Sequence, residues 1–109
     1  MATTYKVLGQ VCPSATTASA LYTVPSLTST VVSTITVANL GGSSATYRIS
    51  VRPAAAAQTN AMYIAYDVTV GANDTTTLTL GLTLATTDVI TVYASTATIA
   101  FNAYGSEIV

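Results

Sequence analysis

Asp74 and Asp88 come first in a search for chemistry, because two carboxylates facing a common space can act as acid and base in glycoside hydrolysis. Each stands just before a strand-like run, TTTLTLGLTL and VITVYA, where aspartate also bonds to the backbone amides of a turn. The turn role is the simpler reading of both. A serine or threonine nucleophile would need a base nearby, and the chain offers no histidine, only Lys6 and four scattered carboxylates. Cys12 is the single cysteine, so no intrachain disulfide forms, and it reads as a small buried hydrophobe. Calcium would want several oxygen ligands together and zinc would want histidine or clustered cysteine. Neither pattern is present, and Gly41-Gly42 is an ordinary turn pair with no phosphate-binding motif around it. The expectation is a protein with no catalytic residues, no metal and no cofactor.

Charge is scarce. Lys6, Arg48 and Arg52 are the only bases, and Asp67, Asp74, Asp88 and Glu107 the only acids. Charged residues make up 6% of the chain, against about 25% in an ordinary domain. A net charge of −1 leaves no electrostatic footprint for nucleic acid or an anionic membrane. So little charge favours association, which implies a surface covered by other chains. The alternative is a monomer kept soluble by its hydroxyls.

With 109 residues, half of them apolar, the chain is predicted to form one domain, residues 1–109, able to bury roughly 65% of its extended surface. MATTYKVLGQVCPSATTASA has no continuous apolar core of a secretory signal, and Gly9-Gln10-Val11 before Cys12 make a poor lipoprotein cleavage site. No apolar run approaches the roughly 18 residues of a membrane helix. Synthesis in a cytoplasm, with use there or release by lysis, is the expectation.

The elements that must position any site are strands. Apolar and polar residues alternate in 30–39, 45–53, 62–70, 75–84 and 97–105, while 88–95 is apolar on both faces, as a central strand should be. With 4–11 and 20–24 these make about eight strands. Turn residues at 25–26, 39–44, 71–74 and 85–88 separate them. The predicted fold is all-β: a single-domain antiparallel β-sandwich or jelly roll. PAAAAQTNA (53–61) is read as a loop with one helical turn. The likeness of 24–37 to 70–84 reflects similar hairpin starts, not a repeat array.

Alternation also assigns faces. Val31, Ile35 and Val37 share one with Ser33, opposite Val32; Tyr47 and Tyr66 point to the core; Arg48 and Arg52 leave one strand on the same side. Tyr5, Tyr22, Tyr63, Tyr93 and Tyr104 have no assigned direction, and exposed tyrosines suit protein interfaces and sugar surfaces. The row Thr75, Thr77, Thr79 has the composition of an ice-binding face, but such a face needs a flatness that twisted strands lack.

Beyond these patterns, LYTVPSLTSTVVSTITVANLGGSSATYRISVRP (21–53), YIAYDVTVGANDTTTLTLGLTLATTDVITVYAS (63–95) and FNAYGSEIV (101–109) resemble small virion proteins of tailed bacteriophages, frequent in phages of cyanobacteria and other aquatic bacteria. The resemblance runs from about Leu8 to Val109, and its most specific parts are LYTVP, TYRISVRP, the AYD–NDT pair and FNAYGSEI. It implies a structural protein made in the host cytoplasm and resident in the virion. It carries over no enzymatic residue. The leading expectation is a capsid decoration or cement protein, a homo-oligomer touching the major capsid protein, with Arg48 and Arg52 as polar anchors. A tail, collar, baseplate or fibre component is the alternative within that class. From another class, a carbohydrate-binding adhesin module would stack sugars on Tyr63 and Tyr93.

Overall fold

Threonine, valine and isoleucine in alternation fit a pleated, half-buried surface, and each such run is a strand in the structure. This is a computed structural model that describes residues 2 to 109. In chain order the strands are β1 (Thr3–Val11), β2 (Ser19–Thr23), β3 (Ser29–Asn39), β4 (Ala45–Arg52), β5 (Tyr63–Val70), β6 (Thr75–Leu84), β7 (Val89–Ala94) and β8 (Ile99–Ile108). They form two four-stranded sheets, ordered β1-β8-β3-β6 and β2-β7-β4-β5. First pairs with last, second with seventh, third with sixth and fourth with fifth, all antiparallel. This nesting is that of a long hairpin rolled over on itself, the eight-stranded jelly roll. The segment expected to be a loop with one helical turn holds a 3-10 turn at Pro53–Ala55 and the start of a second, Asn60–Met62, which leads into β5.

The core lies between the sheets. Val32, Ile35, Val37, Ile49, Ile90, Val92, Ile99 and Phe101 are fully buried, and Tyr47 meets Phe101 edge-on at 6.1 Å between ring centres. β7 is central, as its two apolar faces predict. Asn39 is buried too, and its amide is fully used. Its Nδ2 donates to the carbonyls of Ser43 and Val70, and its Oδ1 accepts from Gly41 N and Thr98 Oγ1, which ties three loops together at one end.

Two face assignments differ from strict alternation, and bulges explain both. In β3, Val32 and not Val31 is buried, because Ser33 is an extra residue against β8: Val32 lies opposite Gly105 and Thr34 opposite Tyr104. A bulge shifts the phase by one, so residues on its two sides reach the core at odd spacing. In β5, Tyr47 lies opposite Val68 and Ile49 opposite Ala65, so Tyr66 and Asp67 together face Arg48. Asp67 adopts φ 50°, and Tyr66 turns out to solvent, 54% exposed, instead of inward.

The sandwich is closed along one flank and open along the other. On the β1/β2 flank the backbone of Gly9 lies so close to the carbonyl of Leu21 that no Cβ would fit. On the β5/β6 flank a depression of about 470 Å³ opens between Ile64 and Leu82, and Leu78, Leu80 and Leu82 of β6 are only half-buried.

Candidate functional site: an arginine–tyrosine depression

β4 sends Arg48, Ser50 and Arg52 to the outer face of its sheet, and β7 sends Thr91 and Tyr93 to the same face, with Arg48 opposite Tyr93 in register. Together with Tyr63 at the start of β5 and Gln58 from the preceding loop, they line a depression of about 280 Å³. The four residues singled out in the sequence, Arg48, Arg52, Tyr63 and Tyr93, thus converge on one place.

The β5 bulge organises it. Because two residues face Arg48, one supplies a carboxylate and the other a ring. Asp67 accepts from Arg48 Nε at 2.6 Å and from Nη2 at 3.3 Å. The guanidinium carbon lies 4.3 Å from the centre of the Tyr66 ring and 4.4 Å from that of Tyr93. Tyr63 meets Tyr66 edge-on at 4.8 Å. The hydrogen bonds from Arg48 hold the Asp67 carboxyl below its ordinary range and raise the guanidinium further. Arg52 donates from Nε to Thr91 Oγ1 at 3.0 Å and from Nη1 to the carbonyls of Ala56 and Ala55. It makes no ion pair among the described residues, so it is the base whose charge has no carboxylate beside it. Ser50 Oγ donates to Gln58 Oε1 at 2.6 Å and fixes the loop over the strand.

The other charges are also engaged. At the closed flank Glu107 takes a hydrogen bond from Tyr22 at 2.5 Å and an ion pair from Lys6 at 3.2 Å, and Tyr22 also meets Thr30 Oγ1 at 2.8 Å. Four strands meet in that clasp. Burial, and then the hydrogen bond to Glu107, push the Tyr22 hydroxyl up to about 12, while the bond from Tyr22 and the Lys6 ammonium hold Glu107 below the ordinary carboxylate range. Asp74 accepts from Thr75 N, and Asp88 accepts from Ala54 N and Ala85 N. Both aspartates therefore hold turns, as their positions predict. The ten residues of β6 keep them about 33 Å apart, too far to share a substrate bond.

Tyr66 and Asp67 are the site residues that alternation misses. The available signal is aspartate in mid-strand, since it is depleted in strands and tolerates positive φ. Cys12 is exposed, not buried, and its thiol donates to the carbonyl of Ala97 at 3.5 Å. It follows the end of β1, where the chain leaves the sheet for an exposed loop. Among the described residues no three histidine, cysteine, aspartate or glutamate side chains gather to hold a metal, and no helix is long and apolar enough to cross a membrane. Comparison of the chain with protein-family models, with curated proteins and with solved structures gives no match.

Proposed function

We propose that the protein is a structural component of a tailed-phage particle, made in the host cytoplasm, that decorates the capsid and cements neighbouring subunits in many copies. The observation that carries the reading is the engagement of every charged side chain within the chain itself, while large apolar side chains stand exposed. Leu27 is 90% exposed, Tyr5 83% and Leu40 68%, on different parts of the molecule. Such a surface gains little from ionic steering and much from tiling, where modest apolar and hydroxyl contacts are summed by symmetry. Jelly rolls serve in capsids and also in lectins, so the fold supports the reading by analogy alone. Within it, Arg52 is the better anchor to an acidic shell surface, since Arg48 is already bound to Asp67. Cross-linking and cryo-EM of intact particles test the placement. Density on the shell, and heat-sensitive particles when the protein is omitted, are expected. Finding it only on the tail replaces cement with a tail, collar, baseplate or fibre role, and its absence from particles ends the virion reading.

The depression itself favours a second reading, a carbohydrate-binding adhesin module, because Tyr63, Tyr93, Ser50 and Thr91 place rings beside hydroxyls. A glycan array read with wild type and with Tyr63→Ala/Tyr93→Ala decides it. No binding by wild type removes this reading.

A further inference from the structure

Four strands end the two sheets, and they are not equally guarded against pairing with other chains. β1 carries Lys6 and a bulge at Leu8; β2 has five residues and is bulged at Leu21; β5 is interrupted by Ile64 and by the Tyr66–Asp67 bulge. Charges, short length and bulges are the ordinary devices that keep an edge unpaired. β6 has one of the three, a bulge in which Leu80 and Gly81 lie opposite Ser33, but it runs ten residues with no charge and no proline, and its inward–outward alternation continues unbroken through that bulge. Its edge is about 33 Å long, most of the 45 Å long axis of the molecule.

We propose that β6 pairs antiparallel with β6 of a second copy of this chain, across a two-fold axis at Thr79, joining two four-stranded sheets into one of eight. The sequence of the strand argues for a second copy and not another partner. With the axis at Thr79, Thr75 lies opposite Thr83, Thr77 opposite Gly81, and Leu78 opposite Leu80. Leu78 then meets Leu80 and Leu82 meets Thr76, all inward residues, Leu84 at the strand end meets Asp74 just outside the strand, and every outward threonine meets threonine or glycine. Cross-strand threonine and leucine pairs of this kind stabilise a sheet, and no like charges face each other. A two-fold contact requires such self-complementarity. The same rotation brings the two open flanks together, with Leu78, Leu80 and Leu82 of each copy on the side of the joined sheet that faces its partner sheet. The inference rests on the reading of the chain as a multi-copy tile, but it is tested without any particle.

The experiment is light scattering coupled to size exclusion on the full chain at micromolar concentration. Wild type is expected at twice the monomer mass. Thr79→Lys, which sets two ammonium groups against each other at the axis, is expected at monomer mass with unchanged circular dichroism. Thr4→Lys on the guarded β1 edge is expected to remain dimeric. In a Cys12→Ser background, Thr79→Cys is expected to give a covalent dimer on mild oxidation, since directly opposed residues come within disulfide reach. A monomeric wild type, or a Thr79→Lys variant that keeps the wild-type mass, overturns the proposal. Neither result bears on whether the protein is found on virions, so a failure here and a failure of the virion reading are distinguishable.

Discussion

Where β1 passes β2, the backbone of Gly9 sits against the carbonyl of Leu21, and the Tyr22–Glu107–Lys6 clasp joins the two sheets beside it. Where β5 passes β6, Ile64 and Leu82 instead line a depression, and the inward leucines of β6 stay half-buried. The two flanks share one topology and similar strand composition, so the difference does not come from fold class. Both flanks carry bulged strands; on one side a missing side chain at Gly9 lets the backbones approach, while on the other Ile64 and Leu82 stand between the strands. The closed flank holds the monomer together, and the open one is where the molecule has apolar surface still to cover.

That contrast can be broken most sharply at Gly9. Gly9→Ala forces β1 away from β2 and should cost about 3 kcal/mol, the upper end for an overpacked site. For a domain of this size that is a fall of about 15 °C in melting temperature, measured by calorimetry. A fall of only a degree or two would mean that the flank is not closed as described.

Glu107→Gln comes next. It removes the charge that both Tyr22 and Lys6 bind, with an expected loss of about 1.5 kcal/mol by denaturant titration. Its pH signature has a definite sign. The folded value of Glu107 lies below the unfolded one, so its stabilisation is complete above the unfolded carboxylate value of about 4.3 and disappears as pH falls through the folded value. Wild type should therefore lose more stability on acidification than Glu107→Gln. Asp67, lowered in the same direction, leaves part of the acid dependence in both.

Tyr22→Phe should cost about 1 kcal/mol. It should also remove an alkaline loss of stability, because the raised hydroxyl stabilises fully below its ordinary value of 10.0 and ceases to do so as pH rises through about 12. Melting curves across that interval read it directly.

On the open flank, Leu82→Thr should cost only about 1 kcal/mol, since a half-buried leucine has less to lose than a core one. A loss as large as that of a core leucine would place Leu82 in the monomer core and erase the contrast. The smallest effect is expected at Asp67→Asn, an exposed pair of the kind that contributes little. Its melting temperature should hardly move, while the near-ultraviolet dichroism of Tyr66 and Tyr93 should change as Arg48 is released.

Much of this was legible in the sequence. The outward path of Arg48 and Arg52, the burial of Tyr47, and the central place of β7 all follow from period two. The turn roles of Asp74 and Asp88 follow from side-chain chemistry. Val32 and Tyr66 were not legible, because a bulge depends on the length of the neighbouring strand, and alternation within one strand cannot show it. Cys12 failed for another reason: burial of a lone cysteine is a composition rule, and here the chain has left the sheet.

By itself the sequence determined an all-strand chain with eight segments, their polar and apolar faces, and a charge content of three bases and four acids, since these properties are local or additive. Tertiary structure alone decided which charges meet. Lys6 and Glu107 stand 101 positions apart, and only the pairing of the first strand with the last makes β1 and β8 neighbours. It also decided which flank stays open, because that depends on how closely two backbones approach, and a one-dimensional pattern does not contain that distance.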